Sequence, residues 1–211
     1  MSERIVPSSV DPSSVDPNGT PPPARPAARP GHVRATGLLL AAGATAWAAS
    51  TVIVGDKIKD GIHDLDTITG MVFVAGLLAF VRLVAVTRGA GDGWTRIIPH
   101  GLLVVLTGAF LLNALSFGYA RHDDFPLPLM ILDACWPLGQ LGMLVLGVVI
   151  AVKDRYRGAL RWLPLLAGAW FPVTMAADLA GGSTVSVYVS AAWLLGMHAH
   201  LGVRLAARPA L

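Results

Sequence analysis

The chain has 211 residues, 54% of them hydrophobic and 14% charged, with a formal net charge of +3 at pH 7 and a mean hydropathy of +0.62. Soluble domains carry about 25% charged residues, so composition excludes an ordinary soluble globular fold. Cys135 is the only cysteine, which excludes an intrachain disulfide and a thiolate metal cluster.

In chain order, residues 1–35 come first. They contain the tandem repeat PSSVDPSSVDP and then TPPPARPAARP. Proline and small polar residues bury too little surface to fold, so a disordered cytoplasmic tail is expected here. Residues 36–207 are expected to form an all-α bundle of six transmembrane helices. A span needs about 20 predominantly apolar residues. Six stretches meet this, at about 36–54, 65–87, 97–118, 127–152, 160–179 and 184–206. Arg82 interrupts the second near one end, where its side chain can snorkel to the headgroups.

Basic residues concentrate on cytoplasmic loops. With the N-terminus inside, only Lys57, Lys59 and Arg121 of the 16 basic residues fall outside. Both termini are therefore expected in the cytoplasm. The acids show the reverse bias, with Asp56, Asp60, Asp64, Asp66, Asp123, Asp124, Asp133 and Asp178 toward the outer face. Arginine far exceeds lysine, and alanine is abundant, as in GC-rich bacterial genomes, so a bacterial cytoplasmic membrane is the expected location. The basic inner face suits anionic lipids. The positive charge is spread over short loops and a tail, so no nucleic-acid partner is expected.

Two hairpins share a spacing. Leu65-Asp66 and Leu132-Asp133 are each followed by an arginine, Arg88 and Arg155, then by RIIP and RWLP, and then by Asn113 and Asp178. This pattern suggests an internal duplication. Shared topology alone also gives outer acids and inner arginines, so the spacing does not decide between the two.

The fourth stretch carries the most chemistry. On a helix, Asp133, Trp136, Pro137 and Gln140 fall on one face. Pro137 has no N–H to give the carbonyl of Asp133, which is thereby freed from the helical ladder. An intramembrane carboxyl is a functional-site candidate, and low dielectric favours the neutral form, which can donate a proton. Asp133, Asp178 and Asp66 are therefore the candidate catalytic acids, although Asp178 could cap a turn and Asp66 could be a helix N-cap. Trp47, Trp136, Trp170 and Trp193 lie inside four different spans. With Asn113 and Gln140 they are the candidate substrate-binding set, since aromatic faces stabilise cations.

His63 and His122 lie beside carboxylates on outer loops, and His100, His198 and His200 sit in inner halves. None has a metal- or haem-ligand spacing, so neither metal nor cofactor is expected. No nucleotide loop or protease motif is present. The expected partners are membrane lipids, a hydrophobic small molecule and a further membrane protein. The leading expectation is a protein that handles a lipid or isoprenoid, as an acid-initiated cyclase or isomerase. The alternatives are a non-catalytic accessory subunit, in which Gly101, Gly108, Gly139, Gly142 and Gly147 support close packing, or a small proton-coupled transporter.

Overall fold

The computed structural model describes residues 28–208; residues 1–27, with the proline-rich repeats, and 209–211 lie outside the described residues. The described residues are helical throughout, apart from short connections. The helices are α1 (Pro30–Val54), α2 (Asp64–Val86), α3 (Ile97–Ser116), α4 (Leu127–Asp133), α5 (Cys135–Lys153), α6 (Ala159–Gly168), α7 (Trp170–Trp193) and α8 (His200–Ala207). A π-helical segment, Leu194–Ala199, joins α7 to α8.

Among the described residues, five stretches are long and apolar enough to cross a membrane: Pro30–Lys57, Asp64–Val86, Gly93–Ser116, Leu127–Lys153 and Trp170–Ala207. The last has 38 residues, and as one straight rod it would reach about 57 Å, nearly twice a hydrocarbon core. It does not run straight. Gly182 has φ +74° and ψ −173°, a backbone region suited to glycine, and the chain folds back there. Three bonds record the return. Ser186 Oγ donates to the Thr174 carbonyl at 3.2 Å, Trp170 Nε1 to Ser190 Oγ at 3.0 Å, and Trp193 Nε1 to the Leu166 carbonyl at 2.7 Å. Each pair straddles residue 180 almost symmetrically, as an antiparallel hairpin requires. The bundle therefore has six helical rods, the fifth being α6 with the first limb of α7 and the sixth the second limb continuing through α8.

Helix limits follow from local chemistry. α1 starts at Pro30 rather than near residue 36, with the proline in the first turn, where its missing N–H costs nothing. Two further prolines interrupt rods. Pro137 cannot donate to the carbonyl of Asp133, and the rod breaks at Ala134 between α4 and α5. Pro172 likewise stands four residues after Gly168, and the next rod breaks at Ala169 between α6 and α7. α2 opens with Asp64 and Asp66 in its first turn, where carboxylates complement the helix dipole. His63, not Asp66, holds the N-cap position, because the helix already begins at Asp64 and Asp66 lies inside its first turn.

α1 lies at the centre, against α2 on one side and α7, the π segment and α8 on the other, while α3 links α2 to α5 and α5 packs on α6. The core is Leu40, Phe73, Leu77, Leu106, Met143, Leu146, Ile150, Leu194 and Leu201, all essentially inaccessible. Close approach is needed at several contacts. A Cβ at Gly202 would come within 2.6 Å of the Gly37 carbonyl, and one at Gly147 within 2.5 Å of Leu165 Cα. Outward faces are also apolar, with Leu179, Val104 and Val152 widely exposed. Such a surface suits lipid rather than water, and the chain is a multi-pass membrane protein by helix length and hydropathy.

The arginine-rich end is knitted together by its loops. Arg155 Nη2 meets Asp92 Oδ2 at 2.8 Å, Arg161 Nη1 meets Asp154 Oδ1 at 2.8 Å, and the hydroxyls of Thr87 and Tyr156 lie 2.8 Å apart. Arg88 also reaches Asp92, at 3.8 Å. The two arginines paired by spacing thus converge on one carboxylate.

Candidate functional site

A cavity of about 320 Å³ opens at the opposite end of the bundle, between α1, α2, α3, α5 and α7. Its lining includes Asp66, Asp133, Trp47, Trp136, Trp170, Asn113 and Gln140. The one-face spacing has a direct counterpart, since Asp133, Trp136, Pro137 and Gln140 all border this space. Asp178 and Trp193 do not line it. Trp193 is turned instead to the Leu166 carbonyl.

The two proline breaks sit at the level of the cavity. Each is followed at once by a tryptophan, Trp136 after Ala134-Cys135 and Trp170 after Ala169, and both indoles border the space. Trp47 of α1 stands between them, its ring centroid 5.3 Å from each. It also stacks on Phe73 at 4.9 Å. The result is a three-indole wall, held at aromatic contact distance.

Each indole N–H is committed. Trp47 Nε1 donates to Asp66 Oδ1 at 3.0 Å, Trp136 Nε1 to Asn113 Oδ1 at 3.3 Å, and Trp170 Nε1 to Ser190 Oγ. Ser50 Oγ also donates to Asp66 Oδ1, at 3.5 Å. Ser50 lies one helical turn after Trp47, and that i, i+3 pair was the sequence signal for this contact. Ser50, Ser190 and Gly70 are site residues that sequence reasoning missed. A Cβ at Gly70 would lie 3.6 Å from Asn113 Nδ2 and 3.7 Å from Trp47 Nε1, so the glycine keeps the floor open.

The polar groups are incompletely paired. Gln140 is 1% exposed, and neither its Nε2 nor its Oε1 has a hydrogen-bond partner. Asn113 Nδ2 also lacks one. Because Asn113 Oδ1 accepts from Trp136, the free end of that amide is a donor. Buried polar groups without partners cost roughly 1–3 kcal/mol each, so this end of the cavity is built at a penalty to stability.

His63 and His122 border the same cavity nearer its mouth. His63 Nε2 donates to the Lys57 carbonyl at 2.8 Å, and the His122 ring rests against Phe125 at 5.3 Å. Ile62 N–H donates to the Ala120 carbonyl at 3.0 Å, tying the two mouth loops together. Asp133 is exposed, whereas Asp66 is partly enclosed by protein.

Of the inner histidines, His200 accepts from Arg204 Nε at 3.1 Å and His100 lies exposed with Nδ1 2.9 Å from the Arg96 carbonyl. His198 is fully buried in the π segment, edge-on to Phe73 at 5.0 Å. Among the described residues, no three His, Cys, Asp or Glu side chains are grouped to hold a metal ion.

No protein-family model, no curated protein and no solved structure matches this chain. Its chemistry rests on the site itself.

Proposed function

We propose that this multi-pass membrane protein binds a lipid or isoprenoid, seating the polar end of the molecule in the cavity. The observation that carries this reading is Gln140. An amide 1% exposed, with both polar atoms unpaired, in a residue that borders a cavity, is tolerated where a ligand supplies the missing bonds. The indole wall supports an apolar or unsaturated portion next to that polar end. On the positive-inside rule the cavity opens on the outer side, and both termini are cytoplasmic.

Binding is favoured over acid-initiated catalysis. A neutral acid catalyst needs a dry setting, and Asp133 is exposed, while the more enclosed Asp66 already has one oxygen accepting from Trp47 and Ser50. Glycines offered by the accessory-subunit reading are largely used within the chain. Gly108 faces Cys135, Gly139 and Gly142 face α3 leucines, and Gly147 meets α6, while a Cβ at Gly101 would meet nothing within 4 Å.

The test is organic extraction of detergent-purified wild type and Gln140→Leu, compared by mass spectrometry. A lipid or isoprenoid enriched over bulk lipid in wild type and depleted in the variant is expected. Identical extracts holding bulk lipid alone would remove the reading.

A further inference from the structure

The hydrogen-bonding inventory of the cavity is specific enough to name the chemistry of the group it receives. Two carboxylates, Asp66 and Asp133, line it, and among the described residues no lysine or arginine does. His63 and His122 border it as well, so an anionic head would meet two like charges with only imidazoles to oppose them. Gln140 adds an unpaired acceptor, and Trp47 and Trp136, which border the space 5.3 Å apart at their centroids, add aromatic surface of the kind that attracts cations. The indole N–H groups cannot oppose a cation, since they are spent on Asp66 and Asn113.

Acceptors are not the whole inventory. Asn113 Nδ2 is a donor whose direction is fixed by the Trp136 bond on the other end of the amide. Gln140 presents one donor and one acceptor whichever way its amide is turned. A bare ammonium would leave both donors unmet. An occupant that also carries an oxygen acceptor close to its nitrogen supplies the partner these donors lack.

Resting on the lipid-binding reading above, we propose that the cavity receives the head of a cationic amphiphile, a protonated amine with a neighbouring hydroxyl or carbonyl oxygen. The amine faces Asp66 and Asp133, the oxygen accepts from Asn113 and Gln140, and the chain leaves along the indole wall. A carboxylate amphiphile would meet like charge at Asp66 and Asp133, and a plain alcohol would bring those carboxylates no counter-charge.

The test is titration of the purified full chain in a non-ionic maltoside detergent, followed by tryptophan fluorescence. The probes are four C12 amphiphiles: an amino alcohol, the plain amine, the plain alcohol and the carboxylate. The expected order is amino alcohol, then amine, then alcohol, with the carboxylate weakest. The charged partner is worth about tenfold between amine and alcohol, as expected for a hydrogen bond to a charged group. Asp66→Asn and Asp133→Asn should each shrink that preference, and Asp124→Asn, on the neighbouring loop outside the cavity, should keep it. An alcohol or carboxylate that binds as tightly as the amine in wild type would overturn the cationic assignment while leaving lipid binding in place. If no probe changes the fluorescence and the organic extract holds bulk lipid alone, both readings fall. The wild-type panel decides the charge question even where a variant does not fold.

Discussion

Trp47 and Asp66 are joined across two helices by a 3.0 Å bond from indole nitrogen to carboxylate oxygen. The bond fixes α1 against α2 at the cavity and aims the carboxylate inward. Replacing Trp47 with Phe keeps most of the stacking on Phe73 and removes the donor. Trp47→Phe should cost about 1–3 kcal/mol, the range for a hydrogen bond to a charged group or for stranding its partner. A double-mutant cycle with Asp66→Asn in a detergent unfolding titration should return a coupling of at least about 0.5 kcal/mol. Additive losses would mean the bond contributes nothing.

Gln140 offers the opposite trade. Its amide is buried without partners, so Gln140→Leu removes two unmet groups and keeps similar bulk. The variant without ligand should be more stable than wild type by about 1–2 kcal/mol, read as a higher melting temperature in detergent. The same change should deplete whatever wild type carries through purification. A less stable Gln140→Leu would mean the amide is satisfied in the membrane by a structural partner, and would weaken its assignment to a ligand.

Helix contacts predict a sharp split among glycines. At Gly147 a methyl group would stand 2.5 Å from Leu165 Cα, backbone against backbone, whereas at Gly101 it would meet nothing within 4 Å. Gly147→Ala should destabilise by about 1–3 kcal/mol, the usual cost of overpacking. Gly101→Ala should be neutral, or stabilising by up to about 1 kcal/mol through helix propensity. Equal effects at the two sites would contradict the close α5–α6 approach.

How far these features were legible in the sequence depends on what each one needs. The membrane class needed only composition, and the hairpin at Gly182 was signalled by the Gly181-Gly182-Ser183 run between two apolar stretches. The shared face of Asp133, Trp136, Pro137 and Gln140 needed only helical periodicity, which survives the break at Ala134. Which tryptophans face one another needed more. These rods are apolar on nearly every side, so periodicity does not fix how each rotates against its neighbours. Trp47, Trp136 and Trp170 turn to a common space, and Trp193 turns to a backbone carbonyl. Asp178, close to the Gly182 turn, could not be separated by spacing from Asp133, yet it lies outside the cavity. The early start of α1 at Pro30 was hidden because a proline-rich tail and a proline at a helix start look alike until the following turn is seen.

The arginine-rich end carries a pH dependence of its own. Tyr156, in the loop between α5 and α6, is buried, and its hydroxyl lies 2.8 Å from that of Thr87. Burial pushes its pKa above the ordinary value of 10.0, only partly offset by the Thr87 bond. A phenol held neutral in the folded state stabilises it fully below the unfolded-state value, and that contribution fades as pH climbs from there through the raised folded value. Wild type should therefore lose stability above about pH 10. Tyr156→Phe should sit about 1 kcal/mol lower at neutral pH through loss of the Thr87 bond. The difference should then narrow as pH rises, because phenylalanine has no proton to lose. Melting curves of both proteins between pH 8 and 11 test this. Parallel curves would mean Tyr156 titrates as freely in the folded protein as in the unfolded chain, and that the loop carrying it is not packed against α2 at all.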